Sequence, residues 1–426
     1  MSTIDLLLAL TSRQDLPDDA RAMARLSLLD WMACGLAGVD EPVAQKVRAT
    51  LAAEGGHGLA AVMGGGHLPA RAAAMANGTT SHALDYDDTH FAHVGHLSVG
   101  VYPAALAAGE EAGTSAAEVA DAFLVGAEAA IRVGLHLGRG HYDRGFHQTA
   151  TAGAFGATVA AARLFGLTVD QTRAAIGLCA TRASGLKGQF GTMGKPLNAG
   201  IAASNGIESA AFARAGLTSA DDGLEGPQGF IPTHADVPDP AAALSDRFLF
   251  TDIRYKLHAC CHGTHAMIEA LRPVAPARIA ALDLRTAPRW LSVCDIKRPR
   301  TGLEVKFSYA WLAAMVLSGI PTASDRSYTD TVAADPLLAA IARRVTVTGD
   351  PSLTDMQAAG EVTLADGSRR AFCHDLAAPI THDRLAESLR AKGEALIGPR
   401  AALLWQAVSG LESLSARDLG RLLGAA

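Results

Sequence analysis

The chain has 426 residues, a length that predicts about two domains rather than one hydrophobic core. Apolar residues make up 49% of the composition and aromatic residues only 5%, so we expect a helix-rich core built mainly from Ala, Leu and Val. The formal net charge is −6 and the cationic residues are scattered, which argues against a nucleic-acid partner. An anionic ligand would need a local cluster of cations.

The N-terminal residues and the cysteines indicate the cellular compartment of the protein. The first residues lack a basic stretch followed by an apolar one, and no apolar run approaches the roughly 20 residues needed to cross a bilayer. The six cysteines are too sparse for a disulfide framework. We therefore expect a cytoplasmic protein with reduced thiols and no membrane partner.

Helical periodicity dominates the first two thirds of the chain. Between Asp18 and Leu36 the apolar residues recur at helical spacing, and the acidic start after Pro17 suits a helix N-terminus. Ala-rich stretches without strand-like alternation follow, and we predict helices around 40–55, 70–84, 101–135, 149–165, 170–185 and 198–216. So many helices with almost no strand signal before residue 270 predict an all-α domain.

The pattern changes after Leu271, where prolines cluster and strand-like segments begin. We predict strands over 290–296 and 345–348 and a hairpin over 362–372 that turns at Asp366-Gly367. Helical periodicity returns from Arg384. The predicted fold is mainly α, with a large all-helical domain over 1–270 and 391–426, completed by the C-terminal tail, and a smaller α+β lid domain over 271–390.

The densest polar segment follows Asn77-Gly78 and contains four histidines and three carboxylates: His82, His90, His93, His96, Asp85, Asp87 and Asp88. A helix end followed by a capped turn would explain it without any function. A metal site formed by His90, His93 and His96 is another explanation. The i, i+3, i+6 spacing argues against that site, because a helix would place His90 and His96 on different faces, and the HExxH pattern is missing.

Three further polar segments are candidates for function. Around Lys256, the adjacent Cys260 and Cys261 suggest a metal site, but they precede a helical run and are better explained as small packed thiols. A second segment is Gly145–Thr149. The third, Gly185–Pro196, is Gly-rich and holds Lys187 and Lys195; a mobile surface loop would also explain it. It lacks the order of a phosphate-binding loop, and no GxGxxG follows a predicted strand.

Together these segments resemble one family, MmgE/PrpD, which includes 2-methylcitrate dehydratase, cis-aconitate decarboxylase and iminodisuccinate epimerase. The resemblance runs through most of the chain and rests on ordered motifs: Asn77-Gly78, His82-Ala-Leu-Asp85-Tyr-Asp-Asp88-Thr89, Gly145-Phe-His147-Gln-Thr, Gly194-Lys195-Pro196-Leu, Gly216-Leu-Thr218, Leu224-Glu-Gly226 and Lys256 before Cys260. It implies an all-helical domain with an α+β lid, usually in a homodimer, and a small carboxylate as substrate.

The resemblance also implies the residues of the site. Catalytic roles fall on Asp85, His96, His147, Lys195 and Lys256, and substrate-binding roles on Thr89, Gln148 and Tyr309. Two departures from the family pattern concern this set. The usual His-Pro-Ser stands here as His96-Leu97-Ser98, and the segment around Tyr309 is one residue short.

These residue types suit proton transfer next to a carboxylate. Loss of an α-proton creates an enediolate-like dianion, which lysine and histidine can stabilise and reprotonate, so we predict no cofactor and no metal. Our first expectation is epimerisation of an iminodisuccinate-like acid, because the residues after Asp88-Thr89 and the chain length resemble that branch. The alternatives are a hydro-lyase of the 2-methylcitrate type, a decarboxylase of the cis-aconitate type, and a non-catalytic carboxylate-binding paralogue.

Overall fold

A computed structural model of the protein describes residues 2–245 and 247–424. The chain divides into two compact units. The first holds the residues up to Tyr255 together with those from Ile397 onward, and the second holds Lys256–Leu396. The predicted mainly α fold is confirmed, and strands form only a small part of the described chain.

The first unit is built from helices and one short antiparallel strand pair, β1 (Ala60–Ala61) and β2 (His67–Leu68). Its helices up to residue 255 are α1 (Thr3–Ser12), α2 (Asp18–Ala37), α3 (Pro42–Glu54), α4 (Ala70–Ser81), α5 (Ser98–Ala112), α6 (Ala116–Arg144), α7 (Gln148–Leu164), α8 (Val169–Ala180), α9 (Gly194–Arg214), α10 (Phe230–His234) and α11 (Pro240–Ala243). The Ala-rich stretches predicted as helices correspond to α3 through α9. The stretch over 101–135 contains two helices because Gly113 takes the left-handed conformation, with a φ of 74°.

Small residues let the central helices approach closely. A Cβ on Gly78 of α4 would lie 2.9 Å from the Cα of Gly200 in α9, and one on Gly126 of α6 would lie 2.5 Å from the carbonyl oxygen of Gly156 in α7. Only residues without side chains allow such contacts. The many Ala and Gly residues therefore allow close helix-to-helix packing around α7, which is buried along nearly its whole length.

The second unit combines short helices with a four-stranded sheet of order β4-β3-β5-β6. Strand β3 pairs in parallel with β4 and antiparallel with β5, which pairs antiparallel with β6. Its elements are α12 (His265–Leu271), β3 (Ile279–Thr286), α13 (Gly302–Val305), α14 (Tyr309–Leu317), α15 (Asp330–Ala333), α16 (Pro336–Ala342), β4 (Val345–Gly349), β5 (Gln357–Leu364), β6 (Arg369–Asp375) and α17 (His382–Ile397).

The strand predictions in this unit have mixed outcomes. The strand over 345–348 and the hairpin turning at Asp366-Gly367 are confirmed, and Gly367 has the positive φ of 86° that the turn needs. The strand predicted over 290–296 is wrong, since Pro288–Ser292 forms a 3₁₀ helix. Pro288 starts that turn, and Trp290 packs against Gly263 while its Nε1 donates to the carbonyl oxygen of Asp355 at 2.9 Å.

The last two helices, α18 (Arg400–Ser409) and α19 (Ala416–Arg421), belong to the first unit. Helix α18 packs on α2, and α19 packs on α5 and α6. The backbone N–H of Ala116 donates to the carbonyl oxygen of Leu414 at 2.9 Å, and that of Ala416 to Thr114 at 2.9 Å. The C-terminal segment is thus joined to the N-terminal helices by main-chain hydrogen bonds.

Within residues 2–245 and 247–424, no single helix has both the length and the apolar composition to cross a membrane. The bent pair of α2 and α3 would qualify by length and composition alone.

Candidate active site

A buried carboxylate, Asp87, lies between two imidazole rings in the segment that follows α4. Its Oδ1 is 2.8 Å from Nδ1 of His82, and its Oδ2 is 2.7 Å from Nδ1 of His96. His82 and Asp87 are buried, and the side chain of His96 is 11% exposed. Because Nδ1 of each ring faces the carboxylate, Asp87 fixes the orientation of both rings and leaves Nε2 of each ring for other partners.

The charge states of this trio follow from its burial. Burial lowers the pKa of His82 to about 4, and the charge of Lys195 adds to this while Asp87 opposes it. Burial by itself would raise the pKa of Asp87, but the charges and hydrogen bonds of His82 and His96 outweigh it and hold that pKa well below its usual range. At neutral pH Asp87 is therefore ionised and His82 is neutral, donating its Nδ1 proton.

The next residue, Asp88, holds the chain that carries His96. Its Oδ1 accepts hydrogen bonds from the backbone N–H groups of Leu97 at 3.1 Å and Ser98 at 3.3 Å, and its carboxylate also binds the Ser98 hydroxyl. Ser98 is the first residue of α5, so Asp88 caps that helix. The N–H of His96 donates to Oγ1 of Thr149 in α7 at 3.0 Å. Main-chain contacts thus fix His96 from two sides.

Lys195 and Asp85 form an ion pair at the exposed side of this cluster. The Lys195 Nζ lies 2.6 Å from Oδ1 of Asp85, and Nε2 of His96 lies 3.6 Å from the same oxygen. Lys195 was expected in a loop, but it lies in the first turn of α9 and its side chain is only 16% exposed. The alternative of a mobile surface lysine is therefore wrong. Asp85 has a φ of 51°, a conformation that aspartate tolerates better than most residues.

His147, the residue before α7, lies beside the cluster, with 6.3 Å between the centroids of its ring and that of His82. The side-chain N–H of Asn198 in α9 donates to its Nδ1 at 3.0 Å, so a neutral ring carries its proton on Nε2. Burial, and then the charge of Lys195, hold the pKa of His147 well below its usual range. The buried ring of His147 is therefore neutral at neutral pH. Phe190 places its ring edge-on against that of His147, with 4.9 Å between centroids.

The two expected substrate-binding residues of the first unit differ in their surroundings. Thr89 pairs through its main chain with Arg254, at 2.7 and 2.9 Å, while its buried Oγ1 has no hydrogen-bond partner among the described residues. That hydroxyl can serve a ligand. Gln148 instead donates its side-chain amide to the carbonyl oxygens of Gly134 and Gly138 in α6, at 3.2 and 3.4 Å. In this structure Gln148 braces α6 where the helix is interrupted at Gly138.

Lys256 and Tyr309 belong to the second unit, and their roles at the site stay predictions. Lys256 is buried, and the Tyr309 hydroxyl donates to the carbonyl oxygen of Gly263 at 2.8 Å and lies 3.0 Å from Oγ1 of Thr286. Cys260 is a packed thiol 3.2 Å from the Thr264 hydroxyl, and burial raises its pKa to about 12. This agrees with the interpretation of Cys260 as a small buried residue.

The metal site considered for His90, His93 and His96 does not form. Nε2 of His90 donates to the carbonyl oxygen of Leu249 at 3.0 Å, and its Nδ1 accepts the N–H of His93 at 3.1 Å. His93 is fully buried where Gly134 leaves room for its ring. Among the described residues, the His/Asp/Glu/Cys group with metal-like proximity is a different one, formed by His82, Asp85, Asp87 and His96.

Comparison with known proteins places the chain in a family. The MmgE/PrpD N-terminal domain matches residues 7–242, and the MmgE/PrpD C-terminal domain matches residues 258–402. The protein therefore belongs to the MmgE/PrpD family, as the sequence motifs predicted.

The curated relatives that we compared are named for one activity. A cis-aconitate decarboxylase-like protein (oryM) of Aspergillus oryzae is 31% identical over 65% of this chain and 62% of its own length. The cis-aconitate decarboxylase of Aspergillus terreus is 32% identical over 60% of this chain and 56% of its own. The human cis-aconitate decarboxylase is 29% identical over 59% of this chain and 56% of its own. The chain thus matches less than two thirds of the length of each.

Proposed function

We propose that the protein is a decarboxylase of a small unsaturated tricarboxylic acid of the cis-aconitate type. The curated relatives are cis-aconitate decarboxylases, and they support this alternative over the epimerisation that the sequence led us to expect first. The single observation that carries the proposal in the structure is the Lys195–Asp85 ion pair beside His96. It holds one fixed positive charge next to an imidazole that can transfer a proton.

A decarboxylation needs both a fixed positive charge and a group that transfers a proton. When a C–C bond to a carboxylate breaks and CO₂ departs, the electron pair left behind is delocalised into the neighbouring alkene and the remaining carboxylates. A positive charge held in place where this negative charge develops lowers the barrier. Lys195 is such a charge, because Asp85 and the first turn of α9 position it before any substrate binds.

We assign the closing proton transfer to His96. Asp87 orients the ring through Nδ1, so Nε2 points toward Asp85 and is the nitrogen that can deliver a proton to the carbon. The new C–H bond uses the electron pair of the broken C–C bond, and His96 regains its proton from solvent. His147, neutral and with its proton on Nε2, acts as a hydrogen-bond donor to a substrate carboxylate. Thr89 offers a second donor through its Oγ1.

The test is incubation with cis-aconitate, 2-methylcitrate and iminodisuccinate in heavy water, followed by NMR and CO₂ release. We expect one CO₂ per product molecule from cis-aconitate, with one deuterium on the product. Alkene formation from 2-methylcitrate without CO₂ would make the protein a hydro-lyase. Deuterium uptake with inversion would make it an epimerase, and inertness with all three acids would support the carboxylate-binding paralogue. A homodimer remains part of the proposal, which sedimentation at micromolar concentration tests.

A further inference from the structure

The candidate site also has the composition of a transition-metal site. One ligand atom from each of His82, Asp85, Asp87 and His96 lies within 4.8 Å of the others. A tetrahedral zinc ion, with bonds of about 2.0–2.1 Å, needs ligand atoms roughly 3.4 Å apart. The four ligand atoms would therefore have to move closer together around an ion, from separations of up to 4.8 Å. Nitrogen and carboxylate oxygen are ligands that zinc accepts.

The charge of the group favours a divalent cation. Asp87 is a buried carboxylate, and Asp85 adds a second carboxylate that is 35% exposed. The cation paired with Asp85 is the ammonium of Lys195, at 2.6 Å. A dication bound to the same oxygen would repel that ammonium. Lys195 and a metal ion therefore compete for Asp85.

We propose that His82, Asp85, Asp87 and His96 form an inhibitory site for a divalent transition-metal ion of the zinc class, which binds in competition with the Lys195 ammonium. The site shares its residues with the proposed function but does not depend on which reaction they catalyse. A bound ion would take Asp85 away from Lys195 and occupy the imidazole of His96, so it would remove both the fixed charge and the proton donor.

Calorimetric titration with Zn²⁺ tests the proposal without any substrate. We expect one saturable site in the wild type and an affinity at least about 100-fold weaker in Asp85→Asn and His96→Gln, because each removes a ligand. Asparagine keeps the φ of 51° at position 85 tolerable, so Asp85→Asn should fold. Lys195→Met should bind zinc about tenfold more tightly or better, since no ammonium competes. His57→Gln, an exposed histidine outside the group, is the matched control and should bind like the wild type.

Cobalt(II) identifies the ligands. A tetrahedral site of nitrogen and oxygen gives visible d–d bands, whereas cysteine ligation adds a thiolate-to-metal charge-transfer band in the near ultraviolet. We expect the d–d bands without the charge-transfer band. A thiolate band, no saturable binding, or equal zinc affinity in wild type, Asp85→Asn and Lys195→Met would each overturn the proposal. Zinc binding as expected in a protein that releases no CO₂ from cis-aconitate would overturn the proposed function alone.

Discussion

The Nζ of Lys195 and Oδ1 of Asp85 lie 2.6 Å apart, although the two residues are 110 positions apart in the chain. Lys195 stands in the first turn of α9, and Asp85 follows α4 by a single turn. Those two helices pack through Gly78 and Gly200, where the backbones almost touch. The separation of the two charges is therefore set by a helix contact without side chains.

Lys195→Ala should lower kcat/KM by about two to four orders of magnitude, as loss of a positioned charge or acid/base group does. The free energy of unfolding should change by no more than about 1 kcal/mol, because the ion pair is partly exposed. Steady-state kinetics and denaturant unfolding measure the two effects. A variant that retains more than about a tenth of wild-type turnover would show that Lys195 is not catalytic.

Two other lysines serve as controls for that experiment. Lys46 is exposed on α3, and Lys46→Ala should leave both activity and stability unchanged. Lys187 donates to the carbonyl oxygen of Tyr142 at 2.9 Å and lies 3.7 Å from the centre of its ring. Lys187→Ala should therefore cost stability rather than turnover. Equal loss of activity in Lys187→Ala and Lys195→Ala would contradict the assignment.

Gly200→Ala tests the helix contact. The new Cβ would meet the Thr79 hydroxyl at 2.2 Å and the carbonyl oxygen of Met75 at 2.4 Å, so α4 and α9 must move apart. We expect a loss of about 1–3 kcal/mol in the free energy of unfolding, together with reduced kcat. Gly188→Ala is the control, because its Cβ would have no neighbour within 4 Å. An unchanged kcat in Gly200→Ala would show that the spacing of Lys195 and Asp85 tolerates the shift.

Acid should destabilise the first unit. Burial lowers the pKa of His82 and His90 to about 4 and that of His93 to about 3, all from 6.5. Between pH 6.5 and these lowered pKa values, the unfolded chain binds more protons than the folded chain does. The stability that comes from keeping the three histidines neutral is therefore complete above pH 6.5 and is lost as the pH falls toward 4. Each histidine contributes up to about 1.4 kcal/mol per pH unit. Glu110 and Asp88 oppose this, since burial raises the pKa of Glu110 to about 8 and also raises that of Asp88. The histidines outnumber them, because burial also lowers the pKa values of His136, His141 and His147.

Unfolding by guanidinium between pH 7.5 and 4.5 measures that slope. His93→Leu should flatten it, because the ring of His93 has no hydrogen-bond partner among the described residues and leucine does not titrate. Glu110→Gln should steepen it by removing an opposing group. His57→Leu, at an exposed position, should leave it unchanged. A slope in His93→Leu equal to that of the wild type would mean that this histidine is not kept neutral by burial.

Dialysis against a strong chelator should leave turnover intact or raise it. Lys195 provides the positive charge that a metal would otherwise supply, so the proposed reaction needs none. Activity before and after chelation, and after addition of zinc, iron or manganese, provides the comparison. If chelation abolished turnover and one of these metals restored it, the group formed by His82, Asp85, Asp87 and His96 would be a catalytic metal centre instead.

The sequence predicts the helices of the first unit well because their Ala-rich apolar faces carry a clear period. It misses α1, whose exposed face of Asp5, Ala9 and Ser12 holds only two polar residues, so that the helical period is weak. It also misses β3, although Leu282-Asp283-Leu284-Arg285 alternates buried and exposed residues as a half-buried strand does. Ala280 and Ala281 come just before this run, and alanine has little preference for strands, which weakens the signal.

The site, too, is predictable from the sequence only in part. The motifs point to Asp85, His96, His147 and Lys195, and the structure gathers these around one cluster. They do not distinguish His82 and Asp87 from an exposed capped turn, because burial of that pair arises from packing with helices far along the chain. The histidine and the three carboxylates of His82–Asp88 were the available signal. Asn198 carries no such signal, since a lone amide in a helix is common.

The return of α18 and α19 to the first unit has a consequence for synthesis on the ribosome. When residue 396 leaves the tunnel, the surfaces of α2 and α5 that those helices cover still face water, and the strand-like hydrogen bonds at Ala116 lack their acceptor and donor. The N-terminal helices therefore remain partly exposed to water until the whole second unit has been translated. Such a nascent chain exposes apolar surface for the time needed to add about 140 residues, on the order of ten seconds, and so depends on holding chaperones more than a protein of consecutive domains does.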